Sequence, residues 1–455
     1  MKIKALKEFT LGIKPKQVRS CDVNLGYETG MLFVYSESED VDPCDSMFSF
    51  YDKPLHFAMY GGEGQQLWHR EMGISLIPGT WFVPFIAHDM DKDGVDEIWF
   101  VNNTSPNMPL MVRSRVLERL NARTGETIGQ YPFPSDNIGW VMLCEAYRYM
   151  LFGGYVNGEP VIVTQQGTYK EMYFQCYNSD MSIRWTRVIQ ENEGARGSHE
   201  VPVIDINQDG IDEVLFGEHL MSLDTGEDLF CLDKDSFFGH SDVVLPFVDR
   251  NTKKGYIYTC RESANYEGCP RIVMFDYSGN RVWANVYTDP NVYNSGHINS
   301  GFVFITKPDF KRIAVGYNVG DNTEHIFDAI TGKPVKLPPS FDEMRPMEVA
   351  VRPIDLNGDG YHEFIRRTGE VYSGDGKMQY YVGGKLIRIG KWYDYQGEQF
   401  MSFYSDEQKV RIWGDVEAED SDALLDRYHG SYKRTFMQKM TGNGYNFTTS
   451  IDCGG

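Results

Sequence analysis

Three histidines stand at equivalent places in three similar stretches of the sequence. His199 lies in GSHEVPVIDI, His240 in GHSDVVLPFVD and His297 in SGHINSGFVFI, each near the start of an apolar run. Imidazole can accept or donate a proton near neutral pH, and it is also a common metal ligand. A lone histidine is usually structural, but three in the same register indicate a shared site.

Two kinds of chemistry fit these histidines. In the first, His199 and His240 act as general base and general acid, and His297 contacts the substrate. In the second, two or three of the imidazoles bind a transition metal, or they share a catalytic calcium ion with acids such as Glu200 and Asp242. Both interpretations stay open at this point.

Two arginines and a tyrosine complete the candidate site. Arg261 lies in the apolar strand YIYTCRES, and its planar guanidinium suits a substrate carboxylate. Arg196, in ARGSHE, is a candidate for substrate binding, with solvation at the surface as the alternative. Tyr293 precedes His297 and is a candidate proton donor, with packing as the alternative. The predicted catalytic residues are His199, His240, Arg261 and Tyr293, and the predicted substrate contacts are His297 and Arg196.

Carboxylates alternate around a glycine in three loops, each of which follows an apolar strand. Oxygen ligands at every second position, with a glycine for the tight bend, suit a hard cation such as calcium. The pattern therefore predicts structural calcium sites, and metal-free polar turns are the alternative. The third loop matches less well, because His362 replaces its fourth acid. The predicted ligands are Asp89, Asp91, Asp93, Asp96 and Glu97 in the first loop, Asp205, Asn207, Asp209, Asp212 and Glu213 in the second, and Asp355, Asn357, Asp359 and Glu363 in the third.

The elements that position these residues recur along the chain. One pattern is an apolar strand that runs into an acidic loop, as in VPVIDINQDGIDEVLF. The other is a small glycine turn before an apolar or aromatic strand, as in NARTGETIG and DAITGKPV. The two alternate in units of roughly fifty residues, the length of four short antiparallel strands. This order favours an all-β β-propeller over a β-sandwich with unrelated turns.

The propeller interpretation sets the domain organisation. We expect one propeller domain over residues 1–455, with eight blades favoured and seven as the alternative, because two units lack the acidic loop. The C-terminal segment 391–455 should form or close the last blade. Inner strands that begin at one face of the channel would bring the three histidines together there.

Composition excludes several partners. The 44 lysine and arginine residues against 65 aspartate and glutamate residues give a formal net charge of −21, which opposes nucleic-acid binding. Bound cations would offset part of this charge near an anionic sugar polymer. No apolar run reaches the twenty residues of a membrane-spanning helix, so we expect no membrane insertion.

The sequence leaves the cellular compartment and the state of the cysteines open. The first thirty residues contain no signal-peptide type of apolar stretch, so the protein is cytoplasmic, or it is secreted or periplasmic with its signal already removed. The eight cysteines show no paired zinc spacing. A turn could bring Cys260 and Cys269 into a disulfide, although a buried free thiol is the more common state.

The acidic loops, the GHSD stretch at Gly239 and the C-terminal run KVRIWGDVEAEDSDALLDRYHGSYKRTFMQKMTGNGYN together resemble the rhamnogalacturonan lyases, which are calcium-rich propeller enzymes. The C-terminal run is similar to the family's last blade. The resemblance implies β-elimination at a uronic acid in a rhamnose-containing acidic polysaccharide, such as rhamnogalacturonan, ulvan or a rhamnosyl-glucuronate polymer. Arg261 or a calcium ion would neutralise the carboxylate, and His199 or His240 would be the base. The other histidine or Tyr293 would then donate the proton.

Two departures from the family shape this expectation. The larger members carry a lysine where this chain has MRPMEVAV, so a histidine is favoured over a lysine as the base. The chain also looks too short for an added β-sandwich module, which indicates a compact relative. The alternative function is a non-catalytic calcium-binding propeller for glycans or proteins.

Overall fold

The computed structural model of the chain describes residues 1–43, 51–134, 143–262, 269–287, 297–307, 311–347 and 351–430. Over these residues the chain forms eight antiparallel sheets, each made mainly of strands that follow one another in the sequence. The fold is an eight-bladed β-propeller. The predicted all-β class is therefore confirmed, and eight rather than seven is the number of blades.

The strands are numbered in chain order and given for each blade from the channel outward. The N-terminal strand is β1 (Ile3–Thr10). Blades 1 and 2 contain β2 (Gln17–Asn24), β3 (Thr29–Ser36), β4 (His56–Tyr60) and β5 (Gln66–Glu71), then β6 (Phe85–His88), β7 (Glu97–Asn103), β8 (Arg115–Asn121) and β9 (Thr127–Pro132). Blades 3 and 4 contain β10 (Tyr149–Val156), β11 (Glu159–Gln166), β12 (Met172–Tyr177) and β13 (Ile183–Ile189), then β14 (Val203–Ile204), β15 (Glu213–Phe216), β16 (His219–Ser222) and β17 (Asp228–Cys231).

The second half of the ring follows the same plan. Blades 5 and 6 contain β18 (His240–Val248), β19 (Gly255–Glu262), β20 (Pro270–Asp276) and β21 (Arg281–Tyr287), then β22 (Ile298–Phe304), β23 (Ile313–Asn318) and β24 (Thr323–Asp328). Blades 7 and 8 contain β25 (Val351–Ile354), β26 (Glu363–Arg366), β27 (Glu370–Tyr372) and β28 (Met378–Tyr381), then β29 (Lys385–Gly390), β30 (Gln399–Tyr404) and β31 (Lys409–Asp415). We call the face where the innermost strands begin the entrance face.

The beginning of the chain completes the last blade. Strand β1 pairs antiparallel with β31, so that Ile3 lies opposite Asp415 and Thr10 opposite Lys409. The outermost strand of blade 8 thus comes from the N-terminus, which joins the two ends of the ring. The C-terminal segment predicted to close the blade supplies β30 and β31, and residues 431–455 lie outside the described residues.

Helix is a minor component of the described ranges. The helices are α1 (Leu143–Ala146) and α2 (Asp422–Leu425), with 3-10 turns at Val112–Ser114, Pro339–Glu343 and Asp426–Tyr428. Among the described residues no helix has the length and apolar character needed to cross a membrane. Cys260 and Cys269 are both buried free thiols, so the disulfide considered from their spacing is not formed.

The glycine turn of the repeat has a packing reason. In three blades it receives the indole of a tryptophan from the outermost strand of the preceding blade, and this indole also donates a hydrogen bond to a carbonyl beside the turn. A side chain on any of these glycines would overlap the indole, because its Cβ would lie 2.5–2.7 Å from a ring atom. The pairs are Trp68 with Gly125, Trp185 with Gly226 and Trp283 with Gly332.

The fourth polar position of each acidic loop also joins neighbouring blades. Asp96 accepts a hydrogen bond from the backbone N–H of Asn24, and Asp212 accepts one from that of Tyr155. His362 occupies the same position in the third loop and bonds to the backbone of Ile305. These partners lie at or just after the end of the preceding blade's innermost strand. Asp96 and Asp212, predicted as calcium ligands, therefore each use one carboxylate oxygen to bind the neighbouring blade.

Candidate active site and metal centre

The three histidines meet at the entrance face, where blades 4, 5 and 6 adjoin. His240 is the first residue of β18, His297 directly precedes β22, and His199 lies in the segment that leads into β14. The ring centroids of His199 and His240 are 4.9 Å apart. The structure therefore brings together the side chains that the repeat placed in one register.

Two carboxylates join two of the histidines in a ring of four donor groups. His240 Nε2 lies 2.7 Å from Glu262 Oε2 and 3.1 Å from Asp242 Oδ1. His297 Nε2 lies 3.4 Å from Glu262 Oε1 and 3.3 Å from Asp242 Oδ2. Ligand atoms of Asp242, Glu262 and His297 lie within 4.8 Å of one another, and so do those of His199, His240 and Asp242, so two overlapping groups could each hold a metal ion. We call His240, Asp242, Glu262 and His297 together the four-donor ring.

His199 lies beside the four-donor ring and is held by the same aspartate. Its Nδ1 is 3.2 Å from Asp242 Oδ1, and its Nε2 is 3.4 Å from an Arg148 guanidinium nitrogen. The Trp81 ring packs edge-on against His199, and the Arg148 guanidinium lies 4.6 Å from the centroid of that indole. Because a carboxylate only accepts hydrogen bonds, Asp242 favours the tautomer with the proton on Nδ1.

The electrostatic environments of these imidazoles differ. Burial lowers the pKa of His199 to about 3, which outweighs the opposing charge of Asp242. Burial also disfavours a charged His240, yet hydrogen bonds to Asp242 and Glu262 raise its pKa to about 9. Burial works against ionisation of Asp242, but the surrounding imidazoles hold the pKa of this carboxyl well below its usual range. The cluster thus contains a neutral His199 next to a charged network.

Arg261 lies under this cluster and not within it. Its guanidinium is fully buried, with Nε 2.7 Å from Glu218 Oε1 and one terminal nitrogen 2.8 Å from Asp233 Oδ2. Adjacent residues of a strand point to opposite faces, so Glu262 reaches the histidines while Arg261 turns away. The predicted contact of Arg261 with the substrate carboxylate is therefore not supported by its position.

The remaining predicted residues have different placements. Arg196 Nε donates to the Phe238 carbonyl at 2.8 Å, and another of its nitrogens lies 3.3 Å from Glu191, so its side chain is engaged within blade 4. This placement does not support substrate binding by Arg196. The His297 side chain is 26% exposed, more than those of His199 and His240, which agrees with a place near the substrate. Tyr293 lies outside the described residues.

Glu262 and Arg148 are members of the site that sequence reasoning missed. Arg148 directly precedes the innermost strand β10 in EAYRYMLF, which is the register of His297 before β22. That register was an available signal for Arg148. Glu262 follows Arg261 in TCRES, where the two charged neighbours must face opposite sides of the strand, and only the fold decides which one faces the site.

The first acidic loop gathers carboxylates beside an arginine. Ligand atoms of Asp89, Asp91 and Glu97 lie within 4.8 Å of one another, a spacing that could hold a metal ion. Arg119 reaches Asp91 at 2.5 Å and also contacts Glu97. Asp93 accepts the backbone N–H of Val95 at 2.8 Å and so shapes the turn.

The second acidic loop is shaped by backbone hydrogen bonds to its acidic and amide side chains. Asp205 accepts the backbone N–H groups of Asp209 and Gly210, both at 3.0 Å, and Asn207 Oδ1 also accepts that of Asp209. Burial, together with the charges of neighbouring aspartates, raises the pKa of Glu213 to about 8. A bound cation would therefore favour the charged form of this carboxyl group and offset its repulsion by the neighbouring aspartates.

The third acidic loop contains a protein cation. Arg427 donates to Asp355 Oδ2 at 3.1 Å and to the Gly360 carbonyl at 2.9 Å, and its side chain is almost completely buried. Asn357 contacts both Asp359 and Glu363 at 3.1 Å. The guanidinium thus lies against the first carboxylate of the predicted calcium site.

Comparisons with known proteins show what the chain is similar to. No protein-family model matches the chain. The chain is similar to the rhamnogalacturonan exolyase YesX of Bacillus subtilis (strain 168), with 23% identity over 295 residues, which are 57% of this chain and 46% of the relative. The chain therefore spans about half the length of the curated relative that it matches.

Solved structures extend the likeness over the whole propeller. The exotype rhamnogalacturonan lyase YesX has a TM-score of 0.74 at 17% identity, covering 99% of this chain and 82% of that one. A rhamnogalacturonan lyase PL11 of Bacillus licheniformis has a TM-score of 0.75 at 17% identity, covering 100% and 82%. The V. cholerae biofilm matrix protein Bap1 is less similar, with a TM-score of 0.52 at 9% identity and coverage of 91% of each chain. The predicted resemblance to the propeller of rhamnogalacturonan lyases is confirmed at the level of the fold.

Proposed function

We propose that this chain is a polysaccharide lyase that cleaves a rhamnose- and uronate-containing acidic polysaccharide by β-elimination. The observation that carries the proposal is the four-donor ring of His240, Asp242, Glu262 and His297, with His199 beside it. A lyase must neutralise the uronate carboxylate and remove the neighbouring C5 proton, and this site has groups for both tasks. The similarity to rhamnogalacturonan lyases supports the substrate class.

Recognition of the carboxylate falls to the four-donor ring and to Arg148. A divalent cation held in the ring would withdraw charge from a bound uronate carboxylate. The Arg148 guanidinium, held over Trp81, is placed to donate hydrogen bonds to the same group. Arg148 thus takes the role that the sequence had suggested for Arg261. Two imidazole nitrogens and two carboxylates suit manganese or zinc better than calcium, which prefers oxygen ligands.

Removal of the C5 proton falls to His199. Asp242 holds its Nδ1, so the lone pair of Nε2 points toward Arg148, where the uronate carboxylate would bind. C5 is bonded to the carboxylate carbon, so its proton would lie within reach of Nε2. As that proton leaves, the C5–H electron pair forms the C4–C5 double bond and the C4–O bond breaks. Tyr293 stays the candidate that protonates the departing oxygen.

The calcium proposal concerns the first two acidic loops. We infer that the loops over residues 89–97 and 205–213 bind structural calcium, through oxygen atoms that repel one another without it. The raised pKa of Glu213 supports this for the second loop. The spacing of Asp89, Asp91 and Glu97 supports it for the first loop, where Arg119 contacts two of these carboxylates. The third loop has a buried arginine, Arg427, at Asp355 and no such group of ligand atoms among the described residues, which argues for an ion-free third loop.

The test is the appearance of ultraviolet absorbance from an unsaturated uronate on incubation with rhamnogalacturonan, ulvan and rhamnosyl-glucuronate gums. The protein is stripped with EDTA and then given calcium, manganese or zinc. We expect product only after metal is restored, and none from the Glu262→Gln variant. His429→Ala, which changes an exposed histidine far from the site in the sequence, is the control. Binding of a polymer without product under every metal would instead support a non-catalytic glycan-binding propeller.

A further inference from the structure

The turn between β15 and β16 inserts under the cluster and contacts both segments that carry its residues. It consists of Gly217 and Glu218, and His219 follows as the first residue of β16. We propose that Glu218 and His219 are positioning residues that set the distance between His199 and Asp242. The proposal rests on the proposed function for its catalytic meaning, and it concerns residues that contact neither the substrate nor the cation.

The two segments to be positioned run side by side. Ser198 and Ser241 form a parallel β-bridge, and the His199 backbone N–H donates to the Ser241 carbonyl at 3.0 Å. The Ser241 N–H in turn donates to the Gly197 carbonyl at 3.2 Å. Because His199 and Asp242 each follow a member of this bridge, the bridge sets the spacing between them. The bridge joins blade 4 to blade 5.

Glu218 fixes the blade 5 side of this bridge. Its carboxylate accepts a hydrogen bond from the Ser241 hydroxyl with one oxygen and from Arg261 Nε with the other, at 2.7 Å for the arginine. Asp233 binds the same guanidinium at 2.8 Å. All of these groups except Asp233 are fully buried, so the network is shielded from water. The buried position of Arg261 is thereby explained, since it neutralises the carboxylate that holds Ser241.

His219 fixes the blade 4 side. Its Nε2 lies 2.8 Å from the Ala195 carbonyl, and its Nδ1 lies 3.0 Å from Asp228. Arg187 binds both oxygens of Asp228, at 2.7 and 2.9 Å, and so orients the carboxylate toward the imidazole. A carbonyl only accepts hydrogen bonds, so the Nε2 proton holds the segment that ends in His199.

Two glycines permit this close approach. A Cβ on Gly217 would lie 2.7 Å from the Gly197 carbonyl oxygen, and a Cβ on Gly197 would lie 2.2 Å from the Thr168 hydroxyl. Gly197 also has a φ of +120°, which non-glycine residues rarely adopt. The turn can therefore approach the bridge segment because Gly217 has no side chain, and the bridge segment can pass Thr168 because Gly197 has none. The polar contacts of the turn region come from the side chains of Glu218 and His219.

The experiment compares single variants that remove one contact each. Ser241→Ala removes the hydroxyl that Glu218 holds, and His219→Ala removes the donor to Ala195. His219→Gln keeps an N–H donor at a similar reach and should restore much of the loss. Ser222→Ala, a buried serine at the other end of β16, is the matched control.

Two readouts separate this proposal from the proposed function. Hydrogen–deuterium exchange in EDTA reports on peptides covering residues 195–201 and 239–243, and it needs neither metal nor activity. Calorimetric titration with manganese reports the geometry of the four-donor ring. We expect faster exchange in both peptides and about tenfold weaker manganese binding for Ser241→Ala and His219→Ala, the lower end of what outer partners of metal ligands give. The control should match the wild type in both.

Each outcome decides one of the proposals. Unchanged exchange and unchanged manganese affinity in folded Ser241→Ala and His219→Ala proteins would overturn the positioning role. Faster exchange with unchanged affinity would also overturn it, because the support would then not reach the site. If the wild type neither binds manganese nor forms product, the proposed function fails. In that case the positioning role is tested by hydrogen–deuterium exchange and by the rate at which diethyl pyrocarbonate modifies His199. Equal modification rates in the wild type and all variants would contradict the positioning role.

Discussion

Asp242 of blade 5 lies 3.2 Å from His199 Nδ1 of blade 4, so a contact between two blades orients the candidate base. The same carboxylate lies 3.1 Å from His240 and 3.3 Å from His297 through its two oxygens. One buried aspartate thus connects the proposed proton acceptor with the four-donor ring. This arrangement requires that three blades hold a fixed relative position, which a closed ring of sheets provides.

Replacement of His199 by alanine should abolish turnover while leaving the metal in place. The value of kcat should fall by about 10²–10⁴-fold, as for loss of a general base. The manganese affinity should fall by no more than about tenfold, the effect of losing the hydrogen bond to Asp242. Steady-state kinetics on the cleaved polymer and calorimetry with manganese measure the two quantities. A variant with wild-type kcat would exclude His199 as the base.

Replacement of Arg148 by methionine should weaken binding of acidic substrate. A charge-assisted hydrogen bond contributes about 1.5–3 kcal/mol, so KM should rise about ten- to a hundredfold. Some loss of kcat is also expected, because the arginine lies beside His199 and would bind the group next to C5. Arg196→Met is the matched control, since Arg196 binds the Phe238 carbonyl. Equal effects of the two variants would show that Arg148 has no special part in substrate recognition.

The second and third acidic loops should respond differently to calcium. Asp205→Asn should remove most of the calcium-dependent rise in Tm that this loop contributes. In EDTA the loss should be smaller, because only one of the two backbone hydrogen bonds that Asp205 accepts is then removed. At a free calcium concentration of a hundred times Kd, binding at one site raises the free energy of unfolding by about 2.7 kcal/mol.

Asp355→Asn, in contrast, should lower the Tm to the same extent with and without calcium. It breaks a buried pair with Arg427, a change that costs about 3–5 kcal/mol. Thermal denaturation of both variants, each in EDTA and in calcium, makes the comparison. A calcium-dependent loss in Asp355→Asn would show that the third loop binds the ion.

The His219–Asp228 pair should make stability depend on pH in a defined window. Burial disfavours a charged His219, but the hydrogen bond to Asp228 raises its pKa from the usual 6.5 to about 10. Although burial works against the charged form of Asp228, His219 and Arg187 lower the pKa of Asp228 from 3.8 to about 2. The raised pKa of His219 stabilises the folded state fully below pH 6.5, and this stabilisation is lost as the pH rises toward 10. The lowered pKa of Asp228 stabilises the folded state above pH 3.8, and this stabilisation is lost as the pH falls toward 2.

The difference in Tm between wild type and His219→Gln should therefore be largest between about pH 4 and 6.5, and it should shrink toward pH 10. Thermal denaturation at fixed ionic strength across this range measures it. A difference that stays constant from pH 5 to pH 10 would contradict a charged His219 in the folded state.

The repeated part of this protein was open to prediction from local sequence. An acidic loop after each of three innermost strands and a glycine turn before the outermost ones are local patterns. In three blades an indole from the preceding blade packs onto the glycine turn. The propeller and the shared register of His199, His240 and His297 follow from that repetition, whereas the structure decided for eight blades over seven. Turn chemistry and strand periodicity depend on residues that are close in the sequence, so they can be predicted from the sequence.

Only the tertiary structure decided which charged residues meet. Arg261 and Glu262 are neighbours in the sequence, and the pleat of β19 sends one into the blade and the other to the histidines. Arg427 reaches Asp355 across 72 positions in the chain, and Asp96 turns to the neighbouring blade. These outcomes depend on contacts between blades, where burial and charge select a partner that no spacing in the sequence specifies.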